Sequence, residues 1–283
     1  MKSRFFIAPQ GAGVSKSGFE QIPLLLKNFL IDAEVVLPNN NESKTNNNNL
    51  KNLDKVLDYT FKLASKTAKA IKEGYAPITI GGDHSVALGS ILGVSSKVTN
   101  LGVIWVDAHA DMNTDKTSPS GNLHGMPLSA LQGIGHPDLI NNLPFKNFIK
   151  TENIVIIGTR SIDPLELELM KEKKIKYYAY EDIIEKGLFL VLQEAKEYLS
   201  NKVKDVHISF DLDVMNPLIV PGVSTPVDDG LNIVEAFQII DYFFTNMNVV
   251  SFDIVEYNPS LDKNNLTKDF VVNLIKYLKD KFV

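Results

Sequence analysis

The chain has 283 residues, of which 44% are hydrophobic and 22% are charged, and its net charge is −5 at pH 7. These values are typical of a soluble globular protein and give no electrostatic reason to expect nucleic acid or an anionic membrane as a partner. Cysteine is absent, which excludes disulfides, thiolate metal sites and a cysteine nucleophile. The apolar stretch after Met1 is too short for a signal peptide, and no apolar run approaches the roughly 18–20 residues of a membrane helix. We therefore expect a cytoplasmic protein.

Seven apolar runs that favour β-strands recur along the chain. They are 5–8, 33–37, 78–80, 101–106, 154–157, 206–210 and 249–254. Segments with helical spacing lie between most of them, including 53–64 and 237–244, and another, 270–278, lies near the end of the chain. Strands that are apolar on both faces and alternate with amphipathic helices indicate a parallel sheet covered on both sides. The sequence therefore predicts a single α/β domain over residues 1–283 with an open sheet.

One segment, 39–49, stands apart from this pattern. It reads NNNESKTNNNN and is polar and of low complexity. Such a composition cannot build a packed core. We predict a mobile, solvated loop and assign it no function.

Two carboxylates and an imidazole follow the run 101–106 at alternating positions, as Asp107, His109 and Asp111. Alternate residues of a strand point to one side, so these three side chains converge if the backbone stays extended. Further candidate metal ligands are His84, in Gly-Gly-Asp-His-Ser, and Asp211 with Asp213, in Ser-Phe-Asp-Leu-Asp. Two imidazoles and four carboxylates are too many for one tetrahedral zinc and suit two ions that share carboxylates.

The polar motifs occupy equivalent places in the predicted sheet. Four of them follow apolar runs directly: 81–85, 107–111, 211–213 and 253–256. Ligands of open parallel sheets bind at the carboxyl ends of the strands, so we expect the motifs to meet there. Carboxylate and water ligands favour manganese, and two such ions that share a water lower its pKa. The predicted reaction is hydrolysis at an electrophilic carbon or phosphorus centre.

The same three motifs, followed by Pro217, Pro221, Gly222 and Gly230, resemble the motif blocks of the ureohydrolases, which include arginase, agmatinase and formimidoylglutamase. The resemblance extends over about residues 81–259. It implies a three-layer α/β/α sandwich with a mostly parallel central sheet, two Mn²⁺ per chain, and a homo-oligomer of three or six chains. It also implies that one ion is held by His84, Asp107, Asp111 and Asp211. The other would be completed by His109 and Asp213, with Asp107, Asp111 and Asp211 shared in part.

Within this family, the Ser-Gly-Asn-Leu-His-Gly run at 120–125 resembles arginase. The resemblance implies that the α-carboxylate of the substrate is bound by Asn113, Ser118, Ser120 and Asn122. Hydroxyl and amide donors suit that task. It also implies that Asp163 and Glu166 bind the α-ammonium. An alternative is that Asp163 caps a helix whose capping box is completed by Glu166, and the two roles are compatible.

The resemblance also implies the catalytic residues of a guanidino hydrolase. Glu256 would pair with the planar guanidinium, which prefers a bidentate carboxylate, and Thr225 would lie near the same group. Asp111 would take the proton of the attacking hydroxide and pass it to the departing amine. His124 would shuttle protons to solvent, for which an ordinary histidine pKa near 6.5 is suited. The substrate would be a small guanidino compound, with L-arginine favoured.

Four positions depart from the family pattern: Val214, Asn216, Asp228 and Asp229. Val214 replaces a glycine, which could change the backbone or the pocket there, and the two aspartates could favour a more cationic substrate. The amino-terminal family motif is only weakly visible around 9–18. Agmatinase, or another guanidino or formimino hydrolase, therefore remains an alternative. A catalytically silent, metal-stabilised relative is the non-enzyme alternative, and a single-zinc deacetylase of the same fold is disfavoured by the ligands for two ions.

Overall fold

The structure, a computed structural model, describes residues 1–38 and 48–282. The segment predicted as a mobile loop, 39–49, lies outside the described residues apart from Asn48 and Asn49. Within the described ranges, eight strands form one sheet. They are β1 (Ser3–Ala8), β2 (Glu34–Val35), β3 (Ala76–Gly81), β4 (Gly102–Val106), β5 (Ile154–Thr159), β6 (Lys176–Ala179), β7 (Asp205–Asp211) and β8 (Asn248–Val255).

The strand order is β2-β1-β3-β8-β7-β4-β5-β6, and each pair of neighbouring strands is parallel. The predicted parallel sheet is therefore confirmed. The last strand of the chain, β8, lies in the middle of the sheet, between β3 and β7. As a result, the carboxyl ends of β3, β8, β7 and β4 lie side by side.

Ten α-helices lie in the described part of the chain. They are α1 (Ile22–Leu26), α2 (Leu53–Lys72), α3 (Ala87–Ser95), α4 (Pro127–Ala130), α5 (Pro137–Ile140), α6 (Pro164–Lys173), α7 (Tyr180–Lys186), α8 (Leu188–Ser200), α9 (Ile233–Asn246) and α10 (Leu266–Lys281). The predicted helical segments 53–64, 237–244 and 270–278 fall within α2, α9 and α10. Among the helices that the structure describes, none combines the length and hydrophobicity needed to cross a lipid bilayer.

The two faces of the sheet pack against different helices. Successive residues of a strand point to opposite faces. In β4, Ile104 and Val106 belong to a buried cluster that contains apolar residues of α8, α9 and α10. Val103 and Trp105, which alternate with them, belong to a second cluster that contains residues of α2, α3 and α6. The sheet therefore has helices on both faces, which confirms the predicted three-layer α/β/α fold.

The two edge strands differ most from the prediction. The run 33–37 was expected to form a strand, but only Glu34–Val35 does, and Val35 and Leu37 are exposed to 39% and 63%. No strand was expected at β6, which reads Lys-Tyr-Tyr-Ala. An edge strand pairs on one side only and can carry lysine, so it lacks the continuous apolar run that marks a central strand.

Candidate active site

Polar residues are placed by the carboxyl ends of the four central strands. His84 follows β3, residues 107–111 follow β4, and Asp211 ends β7. Glu256 follows β8 directly. Asp253, which was expected to follow that strand with Glu256, instead lies within it and is buried. The predicted meeting of the motifs at one end of the sheet is otherwise present, because the four strands are neighbours.

The backbone of 107–111 does not stay extended, so the condition for convergence by strand alternation is not met. β4 ends at Val106, and Asp111 adopts a left-handed conformation with φ of 52°. Aspartate tolerates this conformation better than most residues. The loop folds back because the N–H of His109 donates to Asp107 Oδ1 at 2.6 Å. The side chains of Asp107, His109 and Asp111 are therefore brought together by a turn rather than by strand alternation.

His84 lies at the centre of a first group of candidate metal ligands. Its Nδ1 atom is close to three carboxylate oxygens, those of Asp107 (3.1 Å), Asp111 (3.0 Å) and Asp211 (2.9 Å). This nitrogen is buried and has no hydrogen-bond partner. The ring is fixed by Ser209 Oγ, 2.9 Å from Nε2, and by stacking on Trp105 at 3.9 Å between centroids. A fixed nitrogen that faces three carboxylates fits a shared cation.

A second group shares Asp107 with the first. His109 Nδ1 lies 3.0 Å from Asp213 Oδ2 and 3.6 Å from Asp107 Oδ1. Asp107 therefore turns Oδ1 toward His109 and Oδ2 toward His84. In each of two sets of three, the ligand atoms lie within 4.8 Å of one another: His84, Asp107 and Asp111, and Asp107, His109 and Asp213. The six predicted ligands are thus brought together in two adjoining groups, and Asp107 belongs to both.

The cluster holds four aspartates and two histidines. Burial lowers the pKa of His84 and His109, but the carboxylates around them outweigh burial and raise it. Burial raises the pKa of Asp111 to about 6, and the charge of Asp107 adds to this effect. Burial and neighbouring carboxylates likewise raise the pKa of Asp211 and Asp213. The pKa of Asp107 is lowered, because its contacts with His109 and His84 outweigh burial. Buried carboxylates in excess favour a bound multivalent cation, so the chemistry of the donor set fits a metal centre.

Buried Glu256 and partly buried His124 form a pair beside the cluster. Glu256 Oε1 lies 3.1 Å from His124 Nδ1 and accepts a hydrogen bond from the backbone N–H of His84 at 3.0 Å. The other oxygen, Oε2, is buried without a hydrogen-bond partner. Burial lowers the pKa of His124, but its hydrogen bond to Glu256 and the charge of that carboxylate outweigh burial, so this pKa is raised. The unpartnered Oε2 is suited to accept a hydrogen bond from a cationic ligand.

A cavity of about 210 Å³ adjoins the cluster. Its wall includes most residues predicted to bind substrate or act in catalysis: Asp111, Asn113, Ser118, Ser120, His124, Asp163, Glu166 and Thr225. Asn122 is not part of this wall, and its Oδ1 accepts a hydrogen bond from Ser15 Oγ. Glu256 lies behind the wall and is almost fully buried. Ser161, which was not among the predicted residues, also lines the cavity, and its place two residues before Asp163 is the signal that could have identified it.

The loop 114–122 presents two serine hydroxyls to the cavity, and their oxygens lie 3.5 Å apart. Ser118 Oγ accepts a hydrogen bond from the N–H of Gly121 at 2.9 Å, and Ser120 Oγ accepts one from the N–H of Asn122 at 3.2 Å. A serine hydroxyl that accepts from the backbone still has its own proton to donate. Because both serines line the cavity, their hydroxyls are suited to bind an anionic group.

The start of α6 serves both the helix and the cavity. Asp163 is the N-cap residue, and its N–H donates to Glu166 Oε2 at 3.2 Å. Glu166 Oε1 accepts from the N–H of Met112 at 2.8 Å, and Asp163 Oδ2 accepts from Asn113 Nδ2 at 2.9 Å. The predicted capping box is therefore confirmed, and the same two carboxylates line the cavity. Burial raises the pKa of Glu166 to about 7, and the charge of Asp111 adds to this effect.

The family assignment follows from comparison with known proteins. The model of the Arginase family matches residues 31–279. The chain belongs to the arginase family.

Individual arginases agree with this assignment. The chain is 43% identical to the arginase of Bacillus subtilis (strain 168) over 245 residues, which cover 87% of the chain and 82% of that protein. Its fold matches the crystal structure of arginase from Bacillus caldovelox with a TM-score of 0.91 at 35% identity, over 100% of the chain and 98% of that one. It also matches Entamoeba histolytica arginase in complex with L-ornithine, with a TM-score of 0.87 at 30% identity and 98% coverage of both chains. The predicted ureohydrolase class is confirmed.

The departures from the arginase-family pattern lie outside the cavity wall. Val214 is fully buried in the core, and its Cγ2 is so close to Gly158 that a Cβ built there would lie 2.6 Å away. Asn216 Oδ1 accepts a hydrogen bond from the N–H of Leu218 at 2.9 Å and so stabilises a turn. Asp228 and Asp229 are exposed residues. The effect of these four positions on pocket shape and substrate preference therefore stays a prediction.

Arg160, which was not among the predicted residues, joins these departing segments. Its guanidinium donates to backbone carbonyl oxygens at 2.9 to 3.4 Å, those of Asp213, Val214, Met215, Val227, Asp228 and Asp229. The guanidinium also lies 5.7 Å from the centroid of the Tyr180 ring. In this arginase-family chain, one side chain therefore holds together the segment of a candidate metal ligand, Asp213, and the segment that follows Thr225.

Proposed function

We propose that this protein hydrolyses L-arginine to L-ornithine and urea at a centre of two manganese ions. The observation that carries the proposal is the unpartnered, buried Oε2 of Glu256 beside two adjoining groups of metal-ligand side chains. A guanidinium bound there would lie next to the metal centre. The family assignment supports the same reaction, since arginases are about 40% identical to this chain, and one similar structure is a complex with L-ornithine.

The two metal positions are assigned from the two groups of ligands. His84, Asp107, Asp111 and Asp211 would hold one ion, and His109 and Asp213 would complete the other, with carboxylates shared in part. Manganese is the first choice because four of the six donors are carboxylates. When bound, the two ions lower the pKa of a shared water, so that hydroxide is available near neutral pH.

Residues of the chain orient the guanidinium and move the protons. Glu256 accepts hydrogen bonds from the guanidinium and holds its carbon against the nucleophile. Thr225 Oγ1 donates to Asp213 Oδ2 at 3.1 Å and so fixes this candidate metal ligand beside the guanidinium. Asp111 takes the proton of the attacking hydroxide and delivers it to the nitrogen that leaves as the δ-amine of ornithine. The His124 side chain is 16% exposed, against 1% for Glu256, and exchanges protons with solvent.

The wall of the cavity provides partners for the amino-acid end of the substrate. Asn113 and the hydroxyls of Ser118 and Ser120 bind the α-carboxylate. Asp163 and Glu166, at the start of α6, bind the α-ammonium. Asn122 lies outside the wall and reaches the carboxylate only through water. Agmatine lacks the carboxylate and would leave these donors unused, which favours L-arginine.

Four further parts of the proposal rest on the sequence and the family resemblance alone. These are the single domain over 1–283, the location in the cytoplasm, the absence of nucleic-acid and membrane partners, and a homo-oligomer of three or six chains. Each of them stays a prediction. The number of chains is open to a direct measurement of mass in solution by light scattering.

The test is release of urea by the manganese-loaded protein from L-arginine and agmatine in parallel. We expect release from L-arginine with a much higher kcat/KM than from agmatine. Release from agmatine alone would refute the roles given to the loop 113–122 and to Asp163. Release from neither substrate by a protein that holds two ions would refute the proposed reaction and favour the catalytically silent alternative.

A further inference from the structure

The outer side of the loop 114–122 is held by a residue from a distant part of the chain. The amide nitrogen of Asn49, Nδ2, donates to the carbonyl oxygens of Asp115 and Ser118, both at 2.9 Å. An amide nitrogen carries two protons, so these two bonds use its full donor capacity. The N–H of Lys51 donates to the carbonyl of Gly121, also at 2.9 Å. Asn49 and Lys51 therefore make three contacts with the loop, at residues 115, 118 and 121.

The fit between Asn49 and the loop is close. A Cβ built on Gly121 would lie 2.4 Å from Asn49 Oδ1, so the Gly121 position has no room for a side chain. Asn49 itself has a left-handed backbone with φ of 54°, a conformation that asparagine adopts more readily than most residues. The loop also has its own internal bonds, from the N–H groups of Thr117 and Ser118 to the carbonyl of Thr114. Those bonds shape the start of the loop, whereas Asn49 fixes its middle relative to the rest of the protein.

We propose that Asn49 is a positioning residue for recognition of the substrate carboxylate. This inference rests on the proposed function, because it concerns the serines assigned to that carboxylate. Asn49 binds the backbone carbonyl of Ser118, and the hydroxyls of Ser118 and Ser120 lie on the cavity side of the same short loop. Asn49 does not line the cavity and touches no candidate metal ligand in the contacts described. Its effect is therefore confined to the amino-acid end of the ligand. Asn49 is the last residue of the segment 39–49, to which we assigned no function from the sequence. The inference gives this one residue a role.

The choice of substitution follows from the backbone of Asn49. Alanine would combine loss of the side chain with strain at positive φ. Asn49→Asp keeps the shape and tolerates the backbone, but it removes both N–H donors and turns a carboxylate oxygen toward two carbonyls. Asn49→Gly removes the side chain and also tolerates the backbone. Asn48→Asp is the matched control, because the Nδ2 of Asn48 donates to Asp138 Oδ2, outside the loop, at 3.0 Å.

The measurements distinguish an effect on binding of the carboxylate from an effect on the rest of the ligand. For both Asn49 variants we expect the KM for L-arginine and the inhibition constant of L-ornithine to rise together by about fivefold to tenfold, as for the loss of one or two neutral hydrogen bonds. We expect kcat to stay within about twofold, because the metal centre is untouched. Inhibition by putrescine, which is ornithine without its carboxylate, should not change. Hydrogen exchange of the peptide 113–122 should be faster in both Asn49 variants than in the control.

Several outcomes would overturn the inference. The first is an unchanged KM for L-arginine and an unchanged inhibition constant of L-ornithine in both Asn49 variants. The second is a loss of inhibition by putrescine as large as the loss of inhibition by L-ornithine. The third is an effect of Asn48→Asp as large as that of the Asn49 variants. If the wild-type protein releases urea from L-arginine and only these effects are missing, the role of Asn49 fails and the proposed function stands. If the wild-type protein neither cleaves L-arginine nor binds L-ornithine, measured by calorimetry, both fail.

Discussion

Replacement of Arg160 by lysine should loosen the segments on both sides of the candidate metal centre while keeping the positive charge. The guanidinium presents five N–H donors in a plane and contacts six carbonyl oxygens, in 213–215 and in 227–229. An ammonium group presents three donors from a single atom. Four of the six carbonyls face Nη2, which has two protons, so at most four N–H groups of the guanidinium serve the set. Lysine supplies at most three and lacks the planar fork that reaches both segments at once.

The size of the effect depends on which carbonyls water can reach. The bonds to Asp228 and Asp229 are exposed, so water replaces them at little cost. The other four bonds are partly buried. If lysine keeps two of these four, the loss of the other two lowers the unfolding free energy by about 2–3 kcal/mol, at about 1–1.5 kcal/mol each. For a chain of this size the Tm should fall by roughly 3–5 °C. Because Asp213 moves with its segment, kcat/KM should fall by about tenfold or more.

The assay is thermal unfolding combined with urea release by the manganese-loaded protein. Arg4→Lys is the matched control, because Arg4 is the only other arginine in the sequence and donates to Glu73 at the surface. We expect this control to lower the Tm by about 1 °C or less, as is usual for an exposed ion pair. Equal Tm and kcat/KM in the two lysine variants would refute the role given to Arg160.

Three further changes test the site and its support. Glu256→Ala should abolish urea release but leave two manganese ions per chain by emission spectroscopy, because Glu256 belongs to neither ligand group; loss of both ions would contradict its assigned role. His109→Ala should lower the manganese content to one ion per chain, because one group loses its imidazole, whereas a content of two would remove His109 from the ligands. Gly158→Ala should lower the unfolding free energy by about 2 kcal/mol, because φ at this position is 101° and the new methyl would lie 2.6 Å from Val214 Cγ2. In chemical denaturation the same change should cost about 1 kcal/mol less in a Val214→Ala background than in the wild-type protein, and strict additivity of the two changes would argue against the contact.

The fold and the candidate ligands were accessible from the sequence for a topological reason. Central strands of a parallel sheet are apolar on both faces, so their ends are marked by an abrupt change to polar residues. His84, Asp107 and Asp211 each lie at such a change, and the order of the strands makes those ends neighbours. The edge strands were predicted less well, because a strand that pairs on one side only lacks the continuous apolar run of a central strand. Asp253 was misplaced because the pattern does not distinguish a buried polar residue within a strand from one beyond its end.

The residues that sequence reasoning missed act on the backbone. Arg160 and Asn49 both donate to carbonyl oxygens of segments distant in sequence. Every residue has a carbonyl oxygen, so the partners of such donors leave no mark in the sequence. The left-handed conformation of Asp111 was missed for a related reason, since it depends on how the loop must turn rather than on which side chains it carries.

The position of β8 has a consequence for the order in which the protein can be completed during its synthesis. A nascent chain that ends before residue 248 contains every other strand, yet β3 and β7 pair with β8 and not with each other. Such a chain can build two separate half-sheets, with His84 on one and Asp107 and Asp211 on the other. The first ligand group forms only when β8 enters between the halves, and Glu256 arrives on the same strand. The first group of candidate ligands and the proposed guanidinium partner, Glu256, are thereby completed by one late event, and a truncated chain has neither.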